Sequence, residues 1–248
     1  MSAEAARRTF ELWRGDASGG EFVRYEAEAH EGTVVLDAVR EIQRTQAKDL
    51  AVRWNCKAAK CGCCGAEING KPRLMCKTTL EELPADRPIT VTPLHAFPII
   101  RDLVTDVSWN YEVNKQIPPF EPKADANWLM HQEDVDRIEE FRKCIECFLC
   151  QDVCHILRDH RLHARYFGPR FLVRVASLEM HPLDAADRSE LLKSTSGIAL
   201  CNITKCCSEV CPEGIHITDN AIIPLKERVV DRHYDPLLAL ARRLRRRR

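Results

Sequence analysis

Thirteen cysteines occur in this sequence, and all of them fall into three groups. The first holds Cys56, Cys61, Cys63, Cys64 and Cys76. The second holds Cys144, Cys147, Cys150 and Cys154, and the third Cys201, Cys206, Cys207 and Cys211. Thiolates are soft ligands, and grouped thiolates hold zinc or iron–sulfur clusters. Disulfide pairing explains the pattern poorly: the count is odd, and a chain of 248 residues has no need of covalent staples.

Spacing separates the metal chemistries. Cys56, Cys61, Cys64 and Cys76 form C-x4-C-x2-C-x11-C, whose opening triplet has the spacing of a plant-type [2Fe–2S] site. Zinc also takes four thiolates, but its structural sites usually repeat C-x2-4-C knuckles, so the triplet favours iron. Gly62 and Gly65 let the backbone approach closely and turn N–H donors toward sulfur. Cys63 is left over and reads as a small buried side chain.

The second group is C-x2-C-x2-C-x3-C, a two-cluster run in which the fourth cysteine serves the other cluster. Counting back from Cys211-Pro212, the third group has Cys207 and Cys201 in place, but position 204 is Thr204. Exchange then assigns Cys144, Cys147, Cys150 and Cys211 to a [4Fe–4S] cluster. Cys154, Cys201 and Cys207 remain, three thiolates for a [3Fe–4S] cluster of higher potential. Cys206 stays open: it either supplies a fourth ligand there or points away beside Cys207.

The elements that must position these groups are legible in outline. The strings at 7–13 and 22–28 alternate like strands, with a turn at GDASGG between them. Residues 34–46 repeat apolar side chains at helical spacing, and 51–54 and 89–94 read as strands. Asn69-Gly70 marks a two-residue hairpin whose return strand brings Cys76 to the first site. Residues 115–127 hold three prolines among polar residues and are expected to be an extended linker. Beyond it, 133–143, 170–180, 188–200 and 217–230 read as helices, the last interrupted at Pro224. The expected organisation is α+β. Residues 1–114 form a [2Fe–2S] ferredoxin-like (β-grasp) domain, 115–127 a linker, and 128–248 a mainly helical bacterial-ferredoxin-like domain with a basic tail.

Composition excludes several classes. Lys plus Arg equals Asp plus Glu at 37 each, against a nucleic-acid partner bound through bulk charge. No stretch approaches the ~18–20 apolar residues of a membrane span. The opening MSAEAARRTFELW has no apolar core of a secretory signal, so the chain is expected to start at its own initiator in a reducing compartment. The string RRLRRRR at 242–248 suits either an anionic lipid surface or a solvated tail.

A plant-type group followed by a broken two-cluster group resembles the iron–sulfur subunit of succinate dehydrogenase/fumarate reductase, the succinate:quinone oxidoreductases. PIIRDLVTD at 98–106 and CSEVCPEGI at 207–215 look like segments of that family. The resemblance implies an electron-transfer role in the tricarboxylic acid cycle and respiratory chain. Succinate is oxidised at covalently bound FAD in a flavoprotein partner, and electrons pass through [2Fe–2S], [4Fe–4S] and [3Fe–4S] to quinone. It implies no catalytic residue in this chain, and partners comprising the flavoprotein and a membrane anchor with quinone and in some cases haem. It also implies a peripheral position on the cytoplasmic face of a bacterial inner membrane. Fumarate reduction in the reverse direction is the alternative. A free ferredoxin-type carrier and a structural metal module are rival classes, the first expected to be shorter and the second to hold zinc without labile sulfide.

Near the last group the chain departs from the family. Many members place Pro after the cysteine matching Cys154 and tryptophan a few residues on. Here the segment is His155 to Asp159, and Trp13, Trp54, Trp109 and Trp128 all lie earlier. Asn202 stands where many members carry His. The family's quinone-pocket residues are therefore not carried over. His155 and Arg158 read either as polar replacements or as ordinary packing residues.

Overall fold

A computed structural model describes residues 6–125 and 127–236. The basic string at 242–248 lies outside the described residues. The chain divides into two compact units. One comprises the described residues up to Ser108 with Ile145–Val153 and Val210–Pro212. The other comprises Trp109–Cys144, Cys154–Glu209 and the described residues from Glu213 onward.

In the first unit, strands β1 (Ala6–Asp16) and β2 (Gly19–Ala29) pair antiparallel as the alternation predicts. Phe10 and Leu12 of β1 point into the core and are fully buried. Strands β3 (Gly65–Ile68), β4 (Lys71–Leu74) and β5 (Ile89–Thr92) complete a sheet of order β2-β1-β5-β3-β4, with β1 and β5 parallel. Helix α1 (Val35–Thr45) buries Val35, Leu36, Val39 and Ile42, each worth ~1.5–3 kcal/mol when withdrawn from water. The Asn69-Gly70 turn joins β3 to β4 with positive φ at both residues (50° and 74°), the mirror-image turn its sequence calls for.

The string at 51–54 is not a strand. It runs extended, but its hydrogen bonds go to a turn: Ala51 N–H donates to Asp102 Oδ2 at 2.8 Å, and Ala51 C=O accepts from Leu103 at 3.2 Å. Asp102 also accepts from Arg14 Nε (3.1 Å) and Gly15 N–H (3.0 Å). That turn lies between β6 (Ile99–Arg101) and β7 (Val104–Thr105).

The second unit is helical: α2 (Ser108–Lys115), α3 (Gln132–Arg142), α5 (His155–Arg158), α6 (Pro169–Glu179), α7 (Cys206–Glu209) and α8 (Ile223–His233). Helix α4 (Leu149–Asp152) belongs to the first unit. Two expected helices are irregular. The 188–200 stretch becomes a π-helical turn at Leu191–Thr195 and a 3-10 turn at Ile198–Leu200. Between them Gly197 is left-handed (φ 65°), and a Cβ there would strike the Arg165 carbonyl. The 217–230 stretch starts as a π-helical segment, Ile217–Ile222, and turns α-helical where Pro224 falls in the first turn, where its missing N–H is not needed.

The proline-rich segment at 115–127 is pinned as well as extended. Lys123 and Ala185 N–H groups bond Leu183 and Glu121 carbonyls at 3.0 and 2.7 Å. The fully buried Arg188 guanidinium donates to the Pro118 and Pro119 carbonyls and pairs with Asp184 at 3.0 Å. Fixed proline φ gives an extended path, and Arg188 satisfies the carbonyls that path leaves free.

Glu140 on α3 anchors the π-helical segment. Its carboxylate accepts from His216 N–H and His216 Nδ1, both at 2.7 Å, and from Asn220 Nδ2. Burial works to raise this carboxyl, but the Asn220 and His216 hydrogen bonds outweigh it and hold it below its ordinary 4.5. A depressed folded-state value stabilises the fold above the unfolded value and is lost as pH falls through the folded one. Glu140→Gln is therefore expected to flatten the loss of stability below pH 4.5. Denaturant titrations at stepped pH check this, and identical acid slopes in both proteins would contradict it.

Candidate iron–sulfur centres

The first cysteine group lies on a loop of the first unit whose backbone is aimed at sulfur. Ala58 and Lys60 N–H groups donate to Cys56 Sγ at 3.3 Å, and Ala59 N–H donates to Cys76 Sγ at 3.3 Å. Cys56 N–H reaches Cys61 Sγ and Cys76 N–H reaches Cys64 Sγ, each at 3.5 Å. Lys57 and Ala59 adopt positive φ (56° and 54°), the local strain that turns these donors inward. All four expected ligands thus share one network. The fifth cysteine, Cys63, donates its thiol to the Cys61 carbonyl at 3.5 Å and lies beside the Cys61 side chain.

The thiols differ in their readiness to ionise. The Ala58 and Lys60 N–H donors, with help from Cys61, bring Cys56 down to about 7, whereas burial pushes Cys64 up to about 12. A buried thiol gives up its proton to a metal far more easily than to water. The donor set suits a cluster: soft sulfurs, exposed at Cys56 and buried at Cys64 and Cys76, with N–H dipoles in place to offset anionic charge.

Gly62 is where this loop meets the second group. It is left-handed (φ 68°), and a Cβ there would lie 2.7 Å from Cys147 Cα and 2.9 Å from Cys147 N. The loop after Cys61 therefore packs directly on the backbone of Cys147 within the same unit. Gly62→Ala combines a forbidden conformation with a backbone clash and is expected to cost about 1–3 kcal/mol of stability. Thermal unfolding measures that loss, and an unchanged midpoint would contradict the contact.

Cys147 and Cys150 sit on the 145–153 segment, with Glu146 and Phe148 at positive φ (56° and 60°) where the chain winds tightly. Phe148 packs edge-on against Phe97 at 6.3 Å, and Asp152 Oδ1 accepts from Ala96 N–H at 2.8 Å. Cys211 also belongs to the first unit, where Lys77 Nζ donates to the Pro212 carbonyl at 2.6 Å. Cys144 belongs to the second unit.

The second unit gathers Cys154, Cys201 and Cys207 around Tyr166. Burial raises the Tyr166 hydroxyl well above its ordinary value, and the Cys201, Cys154 and Cys207 thiols raise it further. The hydroxyl hydrogen-bonds Cys201. Burial likewise pushes Cys154 up to about 12 and Cys207 up to about 11. Cys207 Sγ lies 3.3 Å from Thr218 Oγ1, and Lys226 Nζ donates to the Cys201 carbonyl at 2.6 Å. Tyr166, Thr218 and Lys226 were missed from sequence, because no spacing rule ties a residue so far along the chain to a cysteine run. His155 and Arg158 are half-buried on α5, whereas Asn202 is exposed.

The stretches that carry the cysteine groups match known iron–sulfur domains. A 2Fe-2S iron-sulfur cluster binding domain matches residues 9–112, and a 4Fe-4S dicluster domain matches residues 140–215. The fumarate reductase iron-sulfur subunit of Mycobacterium tuberculosis is 31% identical over 203 residues, covering 78% of this chain and 80% of that protein. The succinate dehydrogenase iron-sulfur subunit of Bacillus subtilis is 30% identical over 199 residues, covering 74% and 77%. A chain of the Mycobacterium smegmatis Sdh1 complex in the apo form superposes with a TM-score of 0.91 at 57% identity, covering 94% of this chain and 99% of that one.

Proposed function

We propose, from the premise that this chain belongs to the iron–sulfur subunits of succinate dehydrogenases and fumarate reductases, that it relays electrons one at a time from a FAD flavoprotein to membrane quinone. The clusters supply one-electron redox chemistry when bound. Cys56, Cys61, Cys64 and Cys76 hold [2Fe–2S]. Cys144, Cys147, Cys150 and Cys211 hold [4Fe–4S]. Cys154, Cys201 and Cys207 hold [3Fe–4S], because position 204 offers a hydroxyl in place of a thiolate.

The chain's own groups do the rest. N–H groups of Ala58, Ala59 and Lys60 offset negative charge at the first site. The most direct support for a relay is the seating of Gly62 on the Cys147 backbone, because it makes the first cysteine loop and the second cysteine run direct neighbours. The dicarboxylate chemistry belongs to the flavoprotein.

No helix among the described residues is long and apolar enough to cross a membrane. Attachment is accordingly assigned to an integral anchor, with any haem there, on the cytoplasmic face. Succinate oxidation is the proposed direction; the M. tuberculosis relative, named a fumarate reductase subunit, motivates the reverse as a second reading. Purification of the tagged chain from membranes tests the proposal. A flavoprotein is expected to accompany it, with succinate-driven quinone reduction. Isolation as a free single chain without that activity would overturn it.

A further inference from the structure

Of the four thiols in the third cysteine group, Cys201 and Cys207 are assigned to the three-iron site and Cys211 to the four-iron site, which leaves Cys206 over. Position 204 is where the run would carry its fourth ligand, and Thr204 occupies it. Ile203 and Lys205 on either side are left-handed (φ 63° and 64°), which folds 203–206 back on itself. As a result Thr204 Oγ1 and Cys206 Sγ lie 3.3 Å apart. The sulfur of Cys206 thus stands beside the place where a ligand at 204 would end. Turning a cysteine between staggered rotamers carries its sulfur by about 3 Å, close to the 3.3 Å that separates the two atoms.

The surroundings agree. Cys206 lies close to Cys154 and Cys207. The turn is tethered, with Lys205 Nζ on Asp219 at 2.7 Å and Thr218 against Cys207. Residues 202–205 are exposed and Cys206 is half-exposed, which leaves a route for an aqueous ion.

We infer that Cys206 is a reserve ligand that lets the three-thiolate site take up a fourth iron reversibly. This rests on the proposed assignment of Cys154, Cys201 and Cys207 to a three-iron cluster. In the step, the Cys206 thiol releases its proton to water and its thiolate binds a ferrous ion as that ion joins the reduced, neutral three-iron, four-sulfide core. The product is a four-iron core of charge 2+, so atoms and charge balance. In reverse, a one-electron oxidant takes an electron, ferrous ion leaves, and the oxidised three-iron core remains. The electron that first reduces the core comes from the relay or from dithionite. Iron supply thereby sets the potential of this site.

The test uses the membrane-derived complex under anaerobic conditions. It is reduced with dithionite, incubated with ferrous ammonium sulfate, desalted, reoxidised mildly and examined by electron paramagnetic resonance. The wild type is expected to lose its oxidised three-iron signal severalfold, and ferricyanide is expected to restore it. Cys206→Ala and Cys206→Val are expected to keep the signal through the ferrous step, with an unchanged reduced [2Fe–2S] signal certifying the fold. A wild type that takes up no iron, or variants that convert as readily, would overturn the inference. An untreated wild type without a three-iron signal, whose variants regain one, would make Cys206 a permanent ligand and overturn the reversibility. Absence of the signal from every protein would overturn the underlying cluster assignment together with this inference.

Discussion

Cys64→Ala is expected to abolish the [2Fe–2S] resonance and to lower succinate-driven quinone reduction by more than ~100-fold, since loss of a ligand exceeds the 10–100-fold cost of losing a second-sphere partner. Cys64 is 2% exposed at the foot of β3, with its carbonyl accepting from Met75 N–H at 3.0 Å and its sulfur from Cys76 N–H at 3.5 Å. Alanine removes one thiolate of four and offers no ligand atom in its place. The backbone donors aimed at the remaining sulfurs would then face an incomplete site. Cys63→Ala is the matched control. Its thiol donates to the Cys61 carbonyl at 3.5 Å, and it falls outside the spacing that assigns the four ligands. Its loss is expected to leave the resonance intact and activity within about twofold, as for a small packing side chain. Paired spectra and rates of the two variants decide the point. Equal effects from both would contradict the ligand assignment.

Thr204→Cys is expected to convert the oxidised three-iron signal of the isolated complex into a four-iron cluster and to lower that site's potential by on the order of 100 mV. The run from Cys201 to Cys211 becomes C-x2-C-x2-C-x3-C, so a thiolate stands at the open corner and an added iron stays bound. The three thiols converging on Tyr166 are unaltered. Electrons then reach a station of lower potential before quinone, and quinone reduction is expected to slow. Redox-titrated spectra of wild type and variant measure both changes. Persistence of an unchanged three-iron signal would count against the exchange of ligands between the second and third groups.

The legible parts of this molecule were those governed by short-range rules. Alternation located β1 and β2, and Asn69-Gly70 located the β3–β4 hairpin, because each depends on a few neighbouring residues. The string at 51–54 has the composition of a strand, yet the Asp102 carboxylate takes its hydrogen bonds from a distant turn. Residues 188–200 read as helix because no local signal shows that the Arg165 carbonyl will lie against Gly197. Cysteine spacing spoke for the ligands because a cluster imposes its own geometry on a short loop. It was silent on Gly62 against Cys147, on Tyr166 beside Cys201 and on Thr204 against Cys206. Those contacts arise only when the units fold, and they bear on how neighbouring sites communicate and how each is tuned.

Redox-titrated electron paramagnetic resonance of the anaerobically isolated native complex, with iron and acid-labile sulfide assayed on the same sample, tests the central claim most directly. A brown protein is expected, with an oxidised three-iron signal and two further signals that grow in on reduction, all lost when sulfide is stripped. A colourless protein carrying zinc and no labile sulfide would contradict it.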